Sequence, residues 1–403
     1  MYAKLLTNKV YAYWAVMLLV LASGNSVFKV YGTYFYVFVG MLVLFEFARS
    51  GNLRMRYRKL WQYIAIMLGI FGAQYLTFGW NTFPGIVNFI SKILFGSFII
   101  IALDFRFKYY YLRVMYHLAL ISLVFFFLQT FFNITFGLID VGKVGKSILF
   151  YFSHSRAFDR NCGAFWEPGA FGCYLMFVPL LFMGHLTYLF RNYKRECLVL
   201  LVALLTTQST TAYLSLAAVI FIYLMLQMRS IVKYALILFG VVLSMYIYSN
   251  VDFLKEKIEG QNELALAANG KFSATRVGTF LFDMQYFQKH PLTGNGLHSR
   301  TRYADHPYLV KKWSDGEMAK GGNAFSDYLA KMGIVFYLAI IYFFCKTNKG
   351  IRKIDILSFF IIMIMLLFGE PLFSYPIGLS LPFINLKFRE YEEFSSNTNS
   401  VQP

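Results

Sequence analysis

DRNCGAFWEPGAFGCYL, Asp159 to Leu175, is the point where a polar stretch turns into a long apolar run. Arg160 and Glu167 stand immediately before the Pro168–Gly169 break. Proline suits the first turn of a helix, because its missing N–H is one that a helix start leaves unpaired anyway. The spacing therefore predicts a helix opening at Pro168, with Glu167 beside its positive end. Charges at the edge of an apolar run are costly when that run lies in lipid.

The surrounding composition says that it does. Of 403 residues, 58% are hydrophobic, 20% aromatic and only 14% charged, where soluble chains carry about a quarter charged residues. This is the composition of an all-α polytopic membrane protein. Cys162, Cys173, Cys197 and Cys345 have no metal-ligand spacing; Cys162 reads as a free thiol and the others as small buried hydrophobes. Phosphate-binding glycine loops and paired-Cys or His-Glu metal motifs are missing, so no cofactor is expected. The first apolar run, behind Lys4 and Lys9, has the outline of a signal peptide but is followed directly by a second run and reads as a first spanning helix.

A spanning helix takes about 20 apolar residues. On that basis twelve segments are expected: 10–24, 29–48, 60–78, 86–103, 114–137, 169–190, 197–209, 210–228, 232–250, 323–345, 355–370 and 372–386. TTQSTTAYLSL, Thr206 to Leu216, splits one long run into two, and the last pair is interrupted by Glu370, Pro371 and Pro376, which leaves a re-entrant loop open as an alternative. Basic residues cluster in alternate short connections, among them Arg58 and Lys59, Arg106 and Lys108, Arg191 to Arg195, and Lys346 to Lys353. Basic loops stay in the cytoplasm. The net charge of +18 is thus mainly a topology signal, and no nucleic acid is expected as a partner. One transmembrane domain, 1–390, is expected, with two long loops on the far side at 139–168 and 251–322 and a disordered cytoplasmic tail at 391–403.

Both long loops are basic on the side where basic residues are scarce, with Lys143, Lys146, Arg156 and Arg160 in one and Arg276, Arg300 and Arg302 in the other. A solvated surface explains that, and so does a cationic cavity for an anionic substrate. Arg160 has the planar fork that meets phosphate oxygens in pairs. Glu167 is then a general base or hydroxyl anchor, against the plainer reading of a helix cap paired locally with Arg160. In Lys271 to Arg300, apolar Val277, Phe280, Leu281, Met284 and Phe287 follow helical spacing, predicting an amphipathic surface helix that carries Arg276 and Asp283. His298, after the HPLTGNG turn, is either a phosphate donor or an ordinary loop histidine. Asn323 caps the next helix, in which Asp327 and Lys331 form an intrahelical pair. Phe165, Trp166, Tyr303, Tyr308 and Trp313 offer rings for sugar stacking or for the interfacial belt.

Three of these features, RNCGAFWEPGAFGCYL, the break in LTTQSTTAYLSL, and the Ser…Arg…HPLTGNG segment before an Asn-bearing helix start, resemble the bacterial O-antigen polymerase and O-antigen ligase family. The resemblance spans about 160–334. It implies a GT-C-like fold in the bacterial inner (cytoplasmic) membrane, acting at the periplasmic face on undecaprenyl-pyrophosphate-linked oligosaccharides without metal or nucleotide. It implies Glu167, Arg160 and Arg276 as the catalytic set and Arg156, His298, Arg300 and Asn323 as substrate-binding residues. The donor and acceptor glycolipids, a chain-length regulator and a flippase are the implied partners. The ligase branch carries a histidine just before the asparagine matching Asn323; here Gly321 and Gly322 precede it, which favours a polymerase. Arg156 and Gly172 also keep a polymerase-like spacing of fifteen intervening residues. The alternatives are a ligase, a flippase for the same lipid-linked glycan, or a non-catalytic membrane partner.

Overall fold

The computed structural model describes residues 6, 8–49, 57–79, 83–132, 139–140, 145–146, 152–155, 158–227, 234, 276–298, 302, 311–312, 318–319 and 323–388. The chain is a mostly helical membrane protein. Its described helices are α1 Lys9–Gly24, α2 Ser26–Arg49, α3 Arg58–Phe78, α4 Phe83–Leu103, α5 Phe107–Phe132, α6 Pro168–Leu181, α7 Leu186–Asn192, α8 Lys194–Thr206, α9 Thr210–Gln227, α10 Arg276–Lys289, α11 Ala324–Thr347, α12 Lys353–Gly369 and the short α13 Pro376–Leu379. Three two-stranded hairpins interrupt them, β1–β2 (Ile139–Asp140 with Gly145–Lys146), β3–β4 (Phe152–Ser155 with Phe158–Asn161) and β5–β6 (Lys311–Lys312 with Met318–Ala319).

Three stretches are long and apolar enough to cross a membrane, Tyr31–Arg49, Phe83–Phe132 and Ala324–Thr347, or four if α6 and α7 count as one bent span. The 50-residue stretch is α4 and α5 joined by the turn Asp104–Arg106, whose Asp104 has a φ of 52°. Apolar side chains face outward as well as inward; Leu76 is 87% and Tyr34 84% exposed. Such exposure is unfavourable in water and natural against lipid.

The two ends of the bundle differ as the charge pattern predicts. At one end the short basic connections meet. Lys59 Nζ bonds Lys346 O (3.4 Å), Lys108 Nζ bonds Lys387 O (3.1 Å), and Arg113 pairs with Glu196 (3.2 Å). At the other end Asn25 Nδ2 donates to Ala164 O (2.8 Å), Trp166 N to Gly24 O (3.0 Å) and Gln74 Nε2 to Lys331 O (2.8 Å).

Three expectations need correction. Segment 169–190 is no single helix: α6 ends at Leu181 and the chain bends by 106° into α7. Pro179 inside α6 removes a helical donor, and Gly184 turns through a φ of 87°. Segment 372–386 is not a spanning helix either. It folds as the turn Leu372–Ser374, then α13, then the turn Leu381–Phe383, all of them buried, because Pro371, Pro376 and Pro382 punctuate it too closely for a longer helix. Third, α10 is turned over. Its inward face carries Thr279, Phe282, Asp283 and Tyr286, while Leu281 is 52% exposed. In lipid the apolar stripe has no reason to seek the protein interior, so the polar side turns in.

Of the cysteines, Cys162 and Cys173 are buried free thiols, whereas Cys197 is half-buried and Cys345 exposed. Segment 232–250 apart from Tyr234, the tail 391–403 and most of both long loops lie outside the described residues.

Candidate functional site

The β3–β4 hairpin delivers Arg160 to the bundle. Ser153 pairs with Arg160 and His154 with Asp159, and β4 packs against α5, α6 and α8. Asn161 anchors the chain just beyond: its Nδ2 donates to Ser122 Oγ (3.2 Å) and Thr206 Oγ1 (3.0 Å), and its Oδ1 accepts from Gly163 N (2.8 Å). The segment RNCGAFWEP is thereby pinned between α5 and the α8–α9 break before it enters α6.

Arg160 does not present an open fork. Its Nε donates to Thr207 O (3.2 Å) and its Nη2 to Gln208 O (3.0 Å), the carbonyls at the Ser/Thr break where α8 ends and Gln208 adopts a φ of 48°. A cation at a helix C-terminus is favourable, and the arrangement leaves Nη1 for a ligand. Burial pushes this guanidinium down, opposed by the nearby Cys162, Glu167, Tyr213 and Glu370. Arg160 and Glu167 are thus brought into one electrostatic neighbourhood, with Glu370 as a third member.

Glu167 is the N-cap residue of α6, but it forms no side-chain cap bond. Its exposed carboxylate instead accepts from Trp166 Nε1 (2.8 Å). The acidic group that crowds the start of α6 is Glu370: a Cβ on Gly169 would stand 2.1 Å from Glu370 Oε1. Glu370 is only 3% exposed. Tyr375 joins the group by stacking on Trp166 (4.6 Å between ring centroids). Its hydroxyl is held well above its ordinary pKa by burial first, then by Tyr36, Glu370 and other neighbours that include Glu167.

A second cluster lies under α10. Arg302, with no exposure at all, places Nη1 3.4 Å from Asp283 Oδ1 and 3.1 Å from Asp327 Oδ1. Lys331 Nζ holds the other oxygen of Asp327 in the expected intrahelical pair, and Ser326 Oγ donates to Asp283 (2.7 Å). Asp283 is pushed above the usual carboxylate range, by burial and then by Asp327, while Arg302, Ser326 and Lys331 oppose the shift. Asn323 caps α11 through Ser326 N (3.2 Å), and its buried Nδ2 has no hydrogen-bond partner among the described residues.

Between the clusters lies Lys92 of α4. It bonds Ser374 O (2.9 Å), sits over the Tyr36 ring and lies within electrostatic range of Lys331. Tyr328 continues the link by donating to Ser374 Oγ (3.2 Å) and lying under Lys331.

Of the sequence-predicted residues, Arg160 and Glu167 share one cluster and Asn323 belongs to the other. His298 is half-buried just past the turn that Asn295 fastens to α11. Arg276 opens α10, but its side chain, Arg156 and Arg300 lie outside the described residues, as do Tyr303, Tyr308 and Trp313. Phe165 and Trp166 do not offer faces to a sugar. Both are 2% exposed, with Phe165 stacked on Phe171 and Trp166 on Tyr375, because this segment docks as core against the end of α1. Glu370, Lys92 and Arg302 escaped the sequence reading. For Glu370 and Lys92 the signal was present, as charges inside apolar runs; Arg302 gave none. Among the described residues no group of three or more His, Cys, Asp or Glu side chains is placed to hold a metal ion.

Compared with known proteins, the chain matches no family model and no curated protein.

Proposed function

We propose that this chain is a polysaccharide polymerase: a glycosyltransferase of about twelve spans and GT-C-like fold that joins undecaprenyl-pyrophosphate-linked repeat units at the periplasmic face of the inner membrane. The observation that carries the reading is the gathering of Arg160, Glu167 and Glu370 at the start of α6, at the bundle end opposite the basic connections. Substrate presented outside the cytoplasm would meet that end.

On this reading a hydroxyl of the acceptor glycan attacks the anomeric carbon of the donor sugar. The new C–O bond forms as the sugar–pyrophosphate bond breaks, its electron pair leaving with the pyrophosphate and the hydroxyl proton passing to Glu167. A single direct displacement inverts the anomeric centre. Arg160, through Nη1, and Arg276 meet the negative charge that grows on the leaving group, a contribution of about 3–4 kcal/mol for one well-placed donor. General-base help from Glu167 is worth about a hundred- to ten-thousand-fold. Glu370, packed beneath α6, keeps negative charge at the helix start and holds Glu167 and Arg160 in register. The open amide Nδ2 of Asn323 suits a glycan oxygen, and Arg156, His298 and Arg300 complete the substrate contacts.

The test is reconstitution. Purified protein in vesicles, given undecaprenyl-pyrophosphate-linked repeats, is expected to produce a glycan ladder. Transfer only onto lipid A core would identify a ligase, and translocation without chain growth a flippase; either result overturns the polymerase reading.

A further inference from the structure

At the basic end, far from the site above, an opening of about 550 Å³ lies between the first turn of α3, the turn after α4 and the end of α11. Arg58, Lys59 and Lys346 line it as cations, Asp104 as the one carboxylate, and Gln62 and Thr347 add an amide and a hydroxyl. Lys59 also experiences the charge of Lys387 from beyond α13. Cations from three distant parts of the chain thus converge on one space with two positive charges in excess.

Like charges held together repel, so a site of this kind gains most from an anion. Topological signalling needs basic residues on this side, yet it does not need them around a common opening. Asp104 is fastened at its edge by Asn385 Nδ2 (2.6 Å), and Lys59 is fastened by its bond to Lys346 O. On the neighbouring face of the same turn of α3, Trp61 lines an apolar groove with Leu44, Phe47 and Ala48 of α2. A charged hollow with an apolar groove beside it, at the end of apolar helices, matches a molecule with a phosphate head and acyl chains.

We propose that this hollow is a binding site for the phosphate headgroup of an anionic phospholipid in the leaflet at the basic end. The charge excess selects anionic over zwitterionic headgroups, and the groove takes the upper part of an acyl chain. The site stands on the membrane character of the chain alone and is independent of the polymerase reading.

The experiment uses the full-length protein in detergent micelles, titrated with phosphatidylglycerol, with phosphatidylcholine and with inorganic phosphate, and reads bound lipid by native mass spectrometry. One retained phosphatidylglycerol is expected, weakened by added salt, with little retention of phosphatidylcholine and no displacement by phosphate at equal concentration. Arg58→Gln with Lys346→Gln should weaken binding about thirtyfold, from two surface cations lost. Lys346→Arg, which keeps the charge, should retain it and shows that the hollow itself is intact. Equal retention of both lipids, displacement by inorganic phosphate, or indifference to the double substitution would each overturn the proposal.

Discussion

Replacing Arg302 with methionine removes the only side chain that bridges Asp283 and Asp327. Arg302 has no exposure, and its Nη1 reaches both carboxylates, at 3.4 and 3.1 Å. Without it, Asp327 keeps Lys331, while Asp283 keeps only the Ser326 hydroxyl as its hydrogen-bond donor. Taking one partner from a buried ion pair costs roughly 3–5 kcal/mol, because the stranded charge stays out of water. Asp283→Asn in the same chain removes that stranded charge, so the double variant should recover most of the loss. Arg352→Met is the control. Arg352 is 56% exposed beside Asp355, and surface pairs of this kind contribute about 0–1 kcal/mol. Unfolding by sodium dodecyl sulfate, followed by circular dichroism, measures all four proteins. A midpoint for Arg302→Met no worse than for Arg352→Met, or no rescue by Asp283→Asn, would refute the reading of this cluster as a buried charge network.

Further outcomes follow from the same geometry. Gly333→Ala should destabilise by at least about 2 kcal/mol, since Gly333 has a φ of 69° and an added Cβ would lie 2.2 Å from Leu292 O; the same titration reads it, and a neutral result would mean the α11 kink is not held there. The folded-state pKa of Asp283 is raised above its unfolded value, so its contribution to stability is full below the ordinary aspartate range and lost as pH rises through the raised value. Stability should therefore fall with rising pH across that window, and Asp283→Asn should flatten the fall. Glu370→Gln should slow glycan growth by about tenfold, from negative charge lost beside a helix start and a guanidinium, with little change in unfolding midpoint.

The parts of the fold legible beforehand were those written in local pattern. Asn8 and Asn323 cap α1 and α11, Pro168 opens α6, and the Ser/Thr stretch ends α8 at Thr206. Asp327 and Lys331 pair because four residues bring them onto one face. What hydropathy could not supply was the inward direction of a helix in lipid, where both faces of α10 look affordable and burial of Asp283 decides. Nor could it supply partners far apart in the chain. Glu370 meets Gly169, and Lys92 meets Ser374, only because the proline-punctuated segment after α12 folds back against α4 and α6. The same fold-back ended the expectation of a twelfth helix at 372–386. Within the site, Glu167 was legible as a boundary charge, but the structure adds that Arg160 is also the cap of α8.

That double duty makes Arg160 the place to test the function. The measurement is the initial rate of glycan lengthening in vesicles carrying wild-type, Arg160→Lys and Arg160→Gln proteins, each matched for unfolding midpoint. The expected result is a loss of about a hundred- to a thousandfold for Arg160→Gln, with partial activity for Arg160→Lys. Undiminished lengthening by a folded Arg160→Gln protein would contradict the assignment of this cluster as the site of glycosyl transfer.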